Sequence, residues 1–286
     1  MVPSKSDTML PMSKTLITVA PTGAETAKSH CPQLPTTLDE LVETAQRCEA
    51  AGAGLIHVHI RDADHQPTLD AQRLRDTVAA LREQTSLVVQ LSTGGAVTDR
   101  LADRLRVLDA DPDSCSLTMG TVNFGDGVFM NPWPFVTELY QLSQDRGVVP
   151  EFELFDLGHV AALHRLLGKF GLPFGGRVHC DLVMNVPGGM PGTPAALVAA
   201  VAALPGGVTS WSATGIGRTS LPVAMAALAC GGHLRVGMED VLTLAKGVPV
   251  EHNVQLVTRA ADLAEIAQRP VMSTDEVREL LQVKTR

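Results

Sequence analysis

Residues 55–62 read Leu55-Ile56-His57-Val58-His59-Ile60-Arg61-Asp62, an apolar run that closes on two histidines and a charged pair. Polar groups are costly inside a buried strand, so a run ending this way belongs to a sheet that presents chemistry at its carboxyl edge. Similar runs recur at Leu16–Ala20, Leu87–Leu91, Cys115–Met119, Pro150–Leu154, Val178–Met184, Val208–Ser212 and Leu234–Met238. Most lack strict alternation, as expected of strands buried on both faces of a parallel sheet. Helical spacing fills the intervals: Thr37–Ala51, Asp70–Gln84, Asp99–Leu108, Pro134–Arg146, Val160–Gly168, Pro194–Leu204, Leu221–Ala229 and Val254–Gln268, then a short helix at Thr274–Val283. Thr37 with Glu40 predicts a capping box, and Gly52 a helix stop.

Strands alternating with helices in this number predict an α/β fold, a closed (β/α)8 TIM barrel with a C-terminal helical extension. A doubly wound open sheet would carry GxGxxG after its first strand, where this chain has Pro21-Thr22-Gly23-Ala24-Glu25. Residues 1–13 read as a disordered N-terminal tail and 14–286 as a single barrel domain, since no linker, composition shift or repeat divides the chain.

The 286 residues carry 31 acidic against 23 basic side chains, a net charge of −8, and only seven Phe, two Trp and one Tyr. This excludes the basic footprint and stacking platforms of nucleic-acid binding. With so few aromatics, the core is expected to be Val, Leu, Ile, Ala and Met. Five scattered cysteines form no CxxC pair. No stretch is apolar enough for a signal peptide or a membrane span, so a cytoplasmic protein with no membrane partner is expected.

His57 and His59 stand at i and i+2 of a strand, so both imidazoles face one side and suit one metal ion. A carboxylate from another strand end, Glu239 or Asp240 after the eighth, would complete a site with an open catalytic position. Glycine clusters at 186–192, 214–218 and 231–233 read first as tight turns; they also fall in a sector of the barrel that often binds phosphate, where Arg218 could add a charged fork.

Taken together, TGAE (22–25), LIHVHIRD (55–62), QLSTGGAV (90–97), GTVNFGD (120–126), PEFELFD (150–156), NVPGGMPG (185–192), GIGR (215–218), GGHLRVGMED (231–240) and NVQLV (253–257) resemble the β-keto acid cleavage enzyme family. The resemblance implies a metal-dependent barrel, typically a homotetramer, and a transferase that condenses a β-keto acid with acetyl-CoA to give acetoacetate and a new acyl-CoA. It assigns His57, His59 and Glu239 to Zn2+ or another divalent metal, Asp240 to the general base, and Arg235 to its side. Ser92, Ser116 and Glu153 would serve catalysis. Glu25, Gly94 and Gly95, with the same two serines, would bind substrate. Gly188, Gly189 and Arg218 would hold coenzyme A. Asn185 departs from the pattern, which has glycine before the PGG turn. Because coenzyme A is anionic, Arg61, Arg218 and Arg235 are expected to make the mouth locally basic.

An amidohydrolase-type metal hydrolase is the alternative on the same barrel. It wants HxH on strand one and histidines after strands five and six, whereas here HxH is on strand two and strand five brings glutamates. A non-catalytic binding barrel would lack the ligands or the base, and this chain has both.

Overall fold

The structure, a computed structural model, describes residues 14–284, and the tail expected over 1–13 lies outside them. Strands β1 (Ile17–Val19), β2 (Leu55–Val58), β3 (Val88–Leu91), β4 (Ser114–Thr118), β5 (Val149–Leu154), β6 (His179–Met184), β7 (Ser210–Gly215) and β8 (His233–Val236) follow one another around a ring. All pairings are parallel, and β8 returns to β1 with Thr18 opposite Arg235, so the barrel closes. Helices α1 (Leu38–Ala50), α2 (Ala71–Gln84), α3 (Leu101–Leu105), α4 (Trp133–Arg146), α5 (Leu157–Phe170), α6 (Pro194–Ala203), α7 (Ser220–Ala229) and α8 (Asn253–Ile266) alternate with the strands. The expected C-terminal extension is α9 (Thr274–Leu281). Among the described residues no helix is long and apolar enough to cross a membrane. All five cysteines are free.

Most strand bounds shift by a residue or more from expectation, and three of the larger shifts have a local reason. Strand β2 stops one residue before His59, because Ile60–Arg61 leaves the barrel to pair with Pro67–Thr68 in a separate hairpin. Strand β7 starts at Ser210 because Val208 is held in a turn by its N–H on the Pro205 carbonyl (3.0 Å). Strand β8 ends at Val236 because Gly237 lies directly against the Ala20 carbonyl, where no Cβ would fit.

The larger departure is inside the ring. The strands alternate after all: apolar residues such as Phe152, Leu154, Cys180, Leu182, Leu234 and Val236 pack outward into the main helix-lined core. Buried polar residues alternate with them along β5 to β8: Glu151 and Glu153, His179 and Asp181, Ser210, Ser212 and Thr214, and His233 and Arg235. A two-residue period puts each such set on one face, the lumen. Polar groups are tolerable there because they satisfy one another. Ser210 bonds His179 Nδ1 (2.7 Å), Thr118 donates to Glu153 (2.6 Å), and Ser212 and Thr214 donate to Asp181 (3.1 and 2.6 Å).

The other end of the barrel is sealed by an apolar plug. Leu16, Leu55, Val88 and Val149 meet Val277 and Leu281 of α9 in one buried cluster. Thus α9 excludes water from the bottom and leaves the top as the entrance.

The predicted capping box on α1 is present, and Glu40 does more than cap. Its carboxylate accepts from the Thr36 and Thr37 N–H groups (2.8 and 3.1 Å) and from Lys28 Nζ (2.7 Å). Partial burial works to raise its pKa, but Lys28 and the two N–H groups overrule it and hold the group at about 2, below the ordinary 4.5. A depressed folded-state pKa gives stability that is complete above about pH 4.5 and is lost as pH falls toward 2. Thermal unfolding should therefore find Glu40→Gln less stable than wild type at neutral pH, with the gap closing across that window.

Candidate active site

His57 is the last inward residue of β2, and His59 follows one turn of the pleat later, with ring centroids 5.2 Å apart. The His57 Nδ1–H donates to Gln90 Oε1 (2.5 Å), and the Gln90 amide donates in turn to Ser114 (3.2 Å). This chain fixes the tautomer and turns the Nε2 lone pair toward Glu239 Oε1, 3.8 Å away. His59 Nε2 lies 3.6 Å from the same oxygen. Burial, then the nearby Arg235 charge, lowers the His57 pKa and keeps the ring neutral, as a metal ligand must be.

Glu239 reaches the histidines from the loop after β8. That loop folds back over β1, where the Glu239 N–H bonds the Ala20 carbonyl (3.2 Å). Gly23, at φ +62°, lies so close that a Cβ there would sit 2.6 Å from Glu239 Cγ. Its backbone is the surface on which the ligand side chain rests.

Arg235 organises the acids around it. Its Nε and Nη2 fork onto both oxygens of Asp240 (3.2 and 3.1 Å), and Nη2 also meets Glu239 (2.6 Å). Nη1 reaches Glu153 (3.3 Å) and lies 3.9 Å from Asp181. Burial opposes the Arg235 charge, but Asp240, Glu239, Asp181 and Glu153 raise its pKa well above the ordinary value. Burial pushes Asp181 up to about 8 against the pull of Arg235, so it keeps its proton at neutral pH. Burial likewise lifts Asp240 to about 6, again opposed by Arg235. Glu239 goes the other way: burial would raise it, but Arg235 and the two imidazoles hold it well below the carboxylate range.

These donors fit a divalent cation. Ligand atoms of His57, His59 and Glu239 all lie within 4.8 Å of one another. Glu239 Oε2 is buried with no hydrogen-bond partner among the described residues, a lone-pair oxygen left for something other than protein. The carboxyl groups of Glu153, Glu239 and Asp240 share one guanidinium, so the site has a surplus of negative charge that a divalent ion would offset.

A cavity of about 280 Å3 opens onto this cluster, and Glu25, His57, His59, Ser92, Gly94, Gly95, Glu153, Arg235, Glu239 and Asp240 all line it. Four residues expected at the site do not. Ser116 is buried, and its Oγ accepts the Thr93 N–H (3.3 Å), so it shapes the loop after β3 from behind. Gly188 and Gly189 have packing reasons for lacking a side chain: a Cβ at Gly188 would strike the Asn123 carbonyl, and one at Gly189 would sit 2.9 Å from that of Phe155. Arg218 is exposed on the rim, outside the cavity lining. The mouth is not the basic patch expected either: Arg61 is spent on the Gly23, Thr26 and His65 carbonyls (2.7, 3.0 and 3.1 Å). Asn185 occupies a left-handed conformation (φ 73°), the reason glycine suits its position, and its amide donates to the Ile216 carbonyl (3.1 Å).

A hollow of about 510 Å3 between α1 and α2 is larger, but of the cluster only His59 lines it. The histidine of β6, His179, begins that strand at the bottom of the barrel beside Glu151 (3.2 Å), so it is remote from the carboxyl-end position an amidohydrolase site requires. Sequence reasoning missed the cavity's apolar wall, where Phe124, Phe129, Phe155, Val183, Val186 and Ile216 gather. Phe124 and Phe155 lie inside GTVNFGD and PEFELFD, so the signal was present but was overshadowed by their polar neighbours.

A family model described as beta-keto acid cleavage enzyme matches residues 14–283. The chain is 37% identical over 272 residues to the 3-keto-5-aminohexanoate cleavage enzyme of Acetoanaerobium sticklandii, covering 94% of this chain and 98% of that one. It is 34% identical over 271 residues to the 3-oxoadipate:acetyl-CoA acetyltransferase of Cupriavidus necator, covering 93% and 94%. Among solved structures, the apo structure of ObcA superposes with a TM-score of 0.74 at 20% identity, over 89% of this chain and 66% of that one, a likeness of fold.

Calorimetric titration of chelator-treated protein with Zn2+ should find one strong site. His57→Ala should abolish it. Gly23→Ala, which displaces only the rest for Glu239, should weaken it roughly 10- to 100-fold, as loss of a ligand's support does elsewhere.

Proposed function

The chain belongs to the beta-keto acid cleavage enzyme family, and we propose that it condenses a β-keto acid with acetyl-CoA, releasing acetoacetate and a new acyl-CoA. The observation that carries this reading is the shared cavity: a His57–His59–Glu239 ligand set beside an Asp240 base held by Arg235, at the carboxyl end of a barrel. His57, His59 and Glu239 would hold a divalent ion, Zn2+ in this proposal, which when bound would supply Lewis acidity to acidify C2 of the keto acid.

Asp240 takes the C2 proton. Its pKa of about 6, raised by burial, makes it a stronger base than an ordinary carboxylate while leaving it ionised at neutral pH. Arg235 keeps both its oxygens oriented. The C2 nucleophile adds to the thioester carbon of acetyl-CoA, forming the new carbon–carbon bond. The coenzyme A sulfur then moves to the former keto carbon, the C2–C3 bond breaks with its electron pair left on C2, Asp240 returns its proton there, and acetoacetate leaves beside the new thioester. Ser92 accepts the Gly94 N–H (3.1 Å), which leaves its own O–H to donate to a developing oxyanion. Glu25, Gly94 and Gly95 shape the substrate's seat, Glu153 steadies Arg235, and Ser116 acts from behind the loop. Coenzyme A enters over the loops after β6 and β7, with Gly188, Gly189 and Arg218 on the outer rim of that sector.

We also infer a cytoplasmic homo-oligomer. Helices α6 and α7 carry no charged residue, yet Val198, Leu221 and Met225 are exposed on them. A helix apolar on all sides belongs in an interface.

Metal-loaded protein incubated with acetyl-CoA and a panel of β-keto acids should produce acetoacetate. Production from none of them would overturn the proposal, and metal-dependent amide hydrolysis instead would favour the hydrolase alternative. Asp240→Asn should retain the metal while losing turnover by about 10²- to 10⁴-fold. Light scattering should give an oligomer for wild type and a smaller species for Val198→Glu/Met225→Glu; an unchanged mass would place the interface elsewhere.

A further inference from the structure

The proposed reaction leaves the acid's side chain unspecified, and the ring order shows where it must go. The ligands and the base stand on β2 and after β8, the two neighbours of β1. The keto acid's carboxylate and reacting carbons are therefore fixed on that side of the mouth. Directly across the ring is β5, flanked by β4 and β6. That half of the cavity is apolar apart from Glu153 of β5, which is turned to Arg235 and Thr118 (3.3 and 2.6 Å): Phe124 and Phe129 come from the hairpin after β4, Phe155 follows β5, Val183 ends β6, and Val97 and Ile216 stand on either side. Three of the chain's seven phenylalanines stand on this wall. Their rings meet edge to face, with Phe124 centroids 6.1 Å from Phe129 and 6.3 Å from Phe155.

The charged groups behind the wall are committed, while Asp126 at the hairpin tip and Arg218 after β7 are exposed to solvent. Arg104 lies over the Phe129 ring (4.7 Å) and bonds the Thr93 carbonyl, the Met130 carbonyl and Asn131 Oδ1 (2.6, 2.7 and 2.5 Å). Asp156 caps α5 through the His159 N–H (3.0 Å), and Asp99 accepts the Ala96 N–H (2.7 Å). His159 accepts the Phe155 N–H (3.2 Å), and burial lowers its pKa, so it stays neutral. Glu25, the acid at the rim, follows β1 on the opposite side of the mouth. A charged substrate side chain seated among the phenylalanines would lose its hydration and find no charged partner on the wall itself, whereas an alkyl chain would gain contacts.

We propose that the side chain of the β-keto acid is uncharged and apolar, and that Phe124, Phe129 and Phe155 are the residues that select it. This rests on the acetoacetate-forming reaction proposed above, and the test separates the two. The kcat/KM of metal-loaded enzyme is measured with 3-oxo acids of matched length that end in an alkyl group, carry an ammonium at C5, or end in a second carboxylate. The alkyl acid should exceed both charged acids by roughly 100-fold. Phe124→Asp, at a half-buried position outside the metal site, should narrow or reverse the gap for the ammonium acid while leaving metal affinity unchanged. Preference for either charged acid by wild type would overturn the assignment. If no acid yields acetoacetate, the reaction proposal fails. The side-chain assignment is then decided by calorimetric binding of the same three acids, where tighter binding of the alkyl acid supports it and tighter binding of a charged one overturns it.

Discussion

One guanidinium sets the electrostatics of this barrel. Arg235 is buried, and it touches Glu153, Glu239 and Asp240 within hydrogen-bond distance while facing Asp181. Burying a charge is tolerable only when it is paired, and burying several acids without a cation is worse. Arg235 allows four carboxyl groups to occupy one end of a lumen, and at three of them its pull works against burial. At Glu239 Arg235 and the imidazoles prevail and the group is held ionised, while burial prevails at Asp240, at about 6, and at Asp181, at about 8. Carboxyl groups of three different proton affinities thus stand around one cation.

Such a concentration of charge requires a particular kind of barrel. Its lower end is dry, filled by Leu16, Leu55, Val88 and Val149 and stoppered by Val277 and Leu281. Above the plug comes a hydrogen-bonded middle, where His179 is held between Ser210 and Glu151 and His233 accepts the Leu16 N–H (3.1 Å). Charge is densest at the top, where Arg235 gathers Glu153, Glu239 and Asp240. Lower down, Glu151 lies against His179, which with Arg235 overrules burial and lowers the Glu151 pKa.

The sequence made the barrel legible because eight apolar runs at regular spacing leave few other topologies, and because i, i+2 histidines reveal their shared face without knowledge of the partner. Glu239 and Asp240 were legible as a pair, but their division into ligand and base rested on resemblance. In the structure Glu239 stands beside the two imidazoles, while Asp240 turns both oxygens onto Arg235. What stayed hidden was long-range. Spacing shows that Glu151 and His179 point inward, not that they stand side by side on paired strands. Nor does it show that the Ser116 hydroxyl is spent on Thr93, or that Gly188 is small because Asn123 lies against it. Glycine clusters signal close approach equally well for a phosphate and for a neighbouring loop, and only coordinates distinguish them.

The two halves of the mouth are built by different means, and this bears on what each can change. The charged half is made of barrel strands and the loop after β8, tied to Ala20 and to the Arg235 fork, so altering one member leaves the others unpaired. The apolar half leans on the small hairpin Val122–Phe124/Gly127–Phe129, a two-stranded sheet outside the ring. Arg104 braces that hairpin from behind through Met130 and Asn131, without touching the carboxyl cluster. A substitution in the hairpin reshapes one wall at the cost of local packing alone. The wall and the charged half can therefore vary separately, since among the described residues no hydrogen bond joins the hairpin to the Arg235 cluster.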